Sequence, residues 1–202
     1  MEAGHDTRAR PGLARTLVAL LVLAGLALAA YAPALGGDFV WDDVDWIVRN
    51  EALRDLPGLA RIWFEPGAVI QYYPLTQTSW WLDARLFGLA PFPMHVENGL
   101  LHALGATLLW AGLRALAVRG AFLAALVFLL HPVHVESVAW LVERKNVLSG
   151  ALFLGSALCW VRRDDAGPGA PRRATYLASL GLFAAALLAK TAVLMLPVGL
   201  AL

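Results

Sequence analysis

Apolar residues in this chain gather into successive runs, each about as long as the ~20 residues a helix needs to cross a bilayer. The first run predicts a spanning helix over residues 16–35, closed by Pro33 and Gly36-Gly37. Further runs predict helices over residues 95–118, 120–140, 146–161 and 173–189, and another begins at Thr191 and reaches Leu202 without a stop. Between the first two runs, residues 36–73 are polar and dense in aromatics, among them Phe39, Trp41, Trp46, Trp63, Tyr72 and Tyr73. Trp and Tyr favour the membrane–water interface. Leu56, Leu59, Ile62 and Trp63 share helical spacing there and predict a short helix lying flat on the membrane. Residues 74–92 carry Asp83 and Arg85 and read as interfacial or re-entrant. The expected fold class is an all-α polytopic helical bundle with an outer-face loop after its first span.

Composition agrees. Of 202 residues, 59% are hydrophobic and 15% charged, with a mean hydropathy of +0.64, whereas soluble domains are about a quarter charged. A formal net charge of +1 offers no broad basic face, so nucleic acid is not an expected partner. The lone Cys159 supports neither a disulfide framework nor a cysteine metal site. Residues 1–15 form a basic tail whose arginines, with the run behind them, resemble a signal peptide, but the further runs favour an uncleaved first helix. If that tail is cytoplasmic, Arg114, Arg119 and the basic loop at residues 162–173 also fall inside. The acidic–aromatic loop, the Glu143-Arg144-Lys145-Asn146 turn and Lys190 then face outward. An unfinished last run suggests a front part of a longer membrane protein, in a bacterial inner or ER-type membrane.

Chemistry concentrates on that outer side. Asp42 and Asp43 are adjacent carboxylates; such a pair can bind a divalent cation or act as base and orienter, and it can also be a solvated turn. His131, His134 and Glu136 lie in His-Pro-Val-His-Val-Glu, on one helix face if the helix survives Pro132. They suit hydrogen bonding, ligand contact or, less well, a metal. His95, Asn98 and His102 form one stripe with Glu97 beside it, and interhelical hydrogen bonding accounts for His102. Arg144, Lys145 and Lys190 are outward-facing cations suited to a phosphate-bearing lipid headgroup, although Lys190 alone could snorkel to ordinary anionic lipid.

Taken in order, Phe39-Val40-Trp41-Asp42-Asp43, Tyr72-Tyr73-Pro74-Leu75, His95 to His102, His131 to Trp140, Arg144-Lys145-Asn146 and Leu188 to Pro197 resemble a known family. It is the N-terminal membrane half of the transmembrane and TPR-repeat proteins, O-mannosyltransferase-like enzymes of the GT-C superfamily. The resemblance covers the chain from about residue 15. It implies a GT-C-like transmembrane domain over residues 16–202 with an outer catalytic loop at 36–94, and TPR repeats elsewhere in the complete protein. It implies a polyprenyl- or dolichyl-phosphate sugar donor and a hydroxyl acceptor on protein or glycan. Asp42 or Asp43 would take the acceptor proton, and Arg144, Lys145 and Lys190 would hold the leaving phosphate. Tyr72, Tyr73, His95, Glu97, His131, His134 and Glu136 would line the cleft. Two departures stand out: Tyr73 precedes Pro74 where many relatives interpose an Arg, and Ala189 stands where relatives often have Ser. A transporter or lipid flippase is the competing class, since intramembrane His and Glu serve passage too, but no internal repeat supports it.

Overall fold

A computed structural model of the chain describes residues 12–164 and 172–201. Most of the basic tail, the centre of the 162–173 loop and Leu202 lie outside the described residues. Among those described, all regular secondary structure is helical. The apolar first run forms α1 (Leu13–Ala30), continued after a slight break at Tyr31 by the single turn α2 (Ala32–Leu35). The flat helix expected near residue 56 is α3 (Leu56–Phe64), whose N-cap Asp55 accepts a hydrogen bond from the Gly58 amide at 2.6 Å. The long helices are α4 (Pro74–Phe87), α5 (Pro91–Ala115), α8 (Arg144–Asp164) and α9 (Arg172–Ala189). The chain closes with a short 3-10 turn and α10 (Leu196–Ala201).

The expected helix at 120–140 is divided. It forms α6 (Ala121–Leu130), a 3-10 turn and α7 (Val135–Ala139), bent by 50° at the break. Pro132 has no amide hydrogen to donate, and the residue before it is pushed to extended backbone; His131 accordingly sits at φ −68°, ψ 130°. His131 and His134 therefore do not share a helix face.

Helix α5 is central, packing against α1, α6 and α8, while α8 in turn packs against α9. Small residues allow the close approaches: Ala27, Ala103 and Ala106 meet Leu23 and Leu129 where α1, α5 and α6 join. Ser156 and Ser179 exchange hydrogen bonds between α8 and α9, each hydroxyl donating to the other's backbone carbonyl at 2.8 and 2.9 Å. The 36–94 segment is a folded cap with its own core, in which Trp46, Ile47, Leu53, Ile62, Trp80 and Met94 pack on Leu141 and Val142.

Among the described residues only α1 is by itself long and apolar enough to cross a membrane; the bent α6–α7 pair meets that test as one unit. The other long helices carry polar positions, including Glu97, Asn98 and His102 on α5 and Arg162 and Arg163 on α8. Large apolar side chains nevertheless face outward along the bundle, among them Leu17, Leu21, Leu104, Leu123, Val127 and Leu177.

Gly58 is the tightest backbone approach. A Cβ there would stand 2.3 Å from the Ala52 carbonyl oxygen. Gly58→Ala should lower the thermal midpoint of the detergent-solubilised protein, with a cost of about 1–3 kcal/mol from overpacking. Gly112→Ala, where nothing lies within 4 Å, should be neutral or slightly stabilising because alanine favours the helix interior.

Candidate active site

The site begins with a strained turn. Trp41 holds φ at 47°, a left-handed conformation unfavourable for a bulky residue. Its ring is 80% exposed and stands edge-on to Trp140 at 5.4 Å between centroids. This turn separates the acidic pair. Asp42 is exposed, whereas Asp43 is fully buried. The Asp43 carboxylate accepts the Val40 amide at 3.0 Å and, across the fold, the Val142 amide at 2.7 Å. Burial raises its pKa above the ordinary carboxylate range, opposed by those two amide hydrogen bonds, with the neighbouring Asp42 charge adding to the rise. Asp43 thus ties the first loop to the start of α8, and Asp42 keeps its carboxylate available.

Arg144 is 1% exposed. Its Nε donates to Asn98 Oδ1 at 2.9 Å, Nη1 meets Asp83 at 2.5 Å and Glu97 at 3.1 Å, and Nη2 donates to the Met94 carbonyl at 3.2 Å. Asn98 also donates to the Val138 carbonyl at 3.3 Å. The Arg144 guanidinium, expected as a phosphate contact, has its charge and donors matched from within, as a buried guanidinium needs. This network joins α4, α5 and α8.

Lys145 and Lys190 converge instead on Glu143. Lys145 Nζ lies 2.9 Å from Glu143 Oε1 and 4.5 Å from the Trp46 ring centroid. Lys190 Nζ lies 3.6 Å from Glu143 Oε2 and donates to Asn146 Oδ1. Asn146 in turn donates to Glu143 at 2.6 Å and to the Ser137 hydroxyl at 3.0 Å. The Thr76 hydroxyl binds the Ala189 carbonyl at 3.0 Å and so fixes the α9 end beside Lys190.

The other expected residues divide. His95 is buried against Gly37, and among the described residues neither ring nitrogen has a hydrogen-bond partner. His102 Nε2 donates to the Leu129 carbonyl at 3.1 Å, the interhelical bond its position suggests. Its ring lies 5.0 Å from that of His134, and both line a cavity of about 230 Å³ with Phe128, Ser137 and Asn146. His131 and Glu136 are exposed at the α6–α7 bend, and His131 Nδ1 accepts the Val133 amide at 3.2 Å. Tyr72 donates to the Trp63 carbonyl at 2.9 Å within the cap, while Tyr73 leads into α4. Among the described residues no group of three or more His, Cys, Asp or Glu side chains is placed to hold a metal. Sequence reasoning missed Asp83 and Glu143 as partners of the cations. The available signal was a carboxylate in the otherwise apolar and aromatic Trp80-Trp81-Leu82-Asp83, and a glutamate directly before two cations.

Among the described residues the chain is thus a helical bundle whose folded first loop brings a carboxylate against a cationic helix start. Protein O-mannosyl-transferase TMTC1 of Mus musculus is 36% identical over 181 residues, 82% of this chain and 19% of its own length. TMTC4 of Homo sapiens is 34% identical over 192 residues, 82% of the chain and 26% of its own. Tmtc3 of Drosophila melanogaster is 31% identical over 207 residues, 87% of the chain and 22% of its own. The chain is thus similar over most of its length to proteins named TMTC O-mannosyl-transferases, and it spans about a fifth of the length of curated relatives such as mouse TMTC1. No family model and no solved structure matches it.

Replacing Arg144 with Met leaves Asp83 buried and unpaired, a change that typically costs about 3–5 kcal/mol. Thermal unfolding should show a large loss, and Arg144→Lys should not restore it, since one ammonium cannot serve Asn98, Asp83 and Met94 together.

Proposed function

We propose that this chain is the catalytic membrane portion of a glycosyltransferase that moves a sugar from a polyprenyl- or dolichyl-phosphate donor to a hydroxyl on protein or glycan. The relatives are named protein O-mannosyl-transferases, which favours a mannosyl group and a protein acceptor. The observation that carries the reading is the split acidic pair, one carboxylate exposed on a strained turn and its neighbour buried as the anchor.

In this mechanism Asp42 accepts the proton of the acceptor hydroxyl. The oxygen attacks the anomeric carbon from the face opposite the leaving group, the bond from that carbon to the phosphate oxygen breaks, and the configuration inverts. The lipid phosphate departs with the bonding electron pair, and Lys145 and Lys190 stabilise its charge. Asp43 and Arg144 hold the turn and the helix start in register. His95, Glu97 and Tyr73 are assigned to the cleft with the acceptor and donor, and His134 lines the cavity that Asn146 also borders. A divalent cation at the acidic pair would rest on Asp42, since both Asp43 oxygens accept amides.

The outward apolar side chains support a multi-pass arrangement in which α5, α8 and α9 cross the membrane beside α1 and the α6–α7 pair. The cap and the lysines gather at the end away from the α5 C-terminus and Arg162–Arg163. On the positive-inside rule they face the extracytoplasmic side.

In the complete protein, Asp42→Asn should reduce glycosyl transfer from a labelled polyprenyl-phosphate sugar by about 10²–10⁴-fold with little change in thermal midpoint. Asp43→Asn should lower both. Undiminished transfer by Asp42→Asn would remove the assignment, and lipid movement without sugar transfer would favour a flippase.

A further inference from the structure

The Lys145–Glu143–Lys190 cluster is uneven in charge. Two ammonium groups face one carboxylate, and the side chains are only 10%, 12% and 23% exposed in that order. Arg144 has no positive charge to spare, being matched by Asp83 and Glu97. Away from water, a surplus positive charge is stabilised by an incoming anion. With Glu143 ionised, the cluster offers a single net positive charge.

That count has a chemical counterpart. A lipid-linked sugar carries its phosphate as a diester with one negative charge. Once the sugar leaves, the lipid retains a monoester of about −1.5 to −2 charge near neutral pH. We propose that Glu143 is a specificity residue: its carboxylate between Lys145 and Lys190 matches the seat to a singly charged prenyl phosphodiester and disfavours the doubly charged monoester product. The same three side chains then match the charge of the substrate and leave part of the product's charge unmatched. Asn146, bonded to both Glu143 and Lys190, keeps the carboxylate in that position. The proposal rests on the reading of the two lysines as the phosphate seat.

Binding of farnesyl methyl phosphate, farnesyl phosphate and inorganic phosphate to the complete protein in detergent tests it. Wild type should bind the diester more tightly than the monoester, and inorganic phosphate weakly. Glu143→Gln should bind the monoester about tenfold more tightly than wild type, with a smaller gain for the diester, and turnover should become more sensitive to inhibition by farnesyl phosphate. Glu143→Asp, which keeps the charge, should retain the wild-type preference. If Glu143→Gln weakens both prenyl ligands equally while Lys145→Met and Lys190→Met abolish their binding, the lysine seat stands and the role of Glu143 is overturned. If the lysine variants bind like wild type, or wild type binds neither prenyl ligand, the seat itself fails and this proposal with it. Inorganic phosphate binding as tightly as farnesyl phosphate would overturn the lipid-linked form of the ligand.

Discussion

The buried guanidinium of Arg144 is the constraint on which the rest of the structure depends. It takes a carboxylate from α4, a carboxylate, an amide oxygen and a backbone carbonyl from α5, and it begins α8. A charge this far from water is tolerated only when its partners are fixed, so the three helices cannot slide independently. Position follows for everything attached to them. Val142 presents its amide to Asp43, Lys145 and Asn146 occupy the first turn of α8, and Thr76 on α4 reaches the end of α9.

Upon that frame the acidic turn divides two carboxylates that are equal in sequence. Asp43 is drawn inward by two amides, and its neighbour is left outside with a strained Trp41 before it. Strain of this kind persists only where surrounding contacts enforce it, and the Trp41–Trp140 contact supplies part of that enforcement. The turn and the helix start are therefore one unit, although 99 residues separate Asp43 from Val142.

Much of the helical pattern was legible from the chain. Apolar runs located α1, α5, α8 and α9, the spacing from Leu56 to Trp63 located α3, and the His102 stripe pointed to an interhelical bond. What could not be read was pairing. Periodicity shows which face of a helix is polar but not which distant group meets it, so Arg144 looked like a free cation until Asp83 and Glu97 were placed beside it. Pro132 warned of a kink, and the structure breaks the helix fully, sending His131 and His134 to different surroundings. Adjacent Asp42 and Asp43 carried no signal of their separate fates, because burial is set by residues a hundred positions away.

Those long separations also set an order of maturation. Asp83 waits 61 residues for Arg144, Asp43 waits 99 for Val142, and Thr76 waits 113 for the carbonyl of Ala189. At a ribosomal rate of about 5–20 residues per second, the cap is made early but stays without its anchors for roughly 3–23 s while the later helices emerge. The cap is thus made before the helices that anchor it and settles after them. Until then its aromatic residues and unpaired carboxylates are open to whatever assists folding.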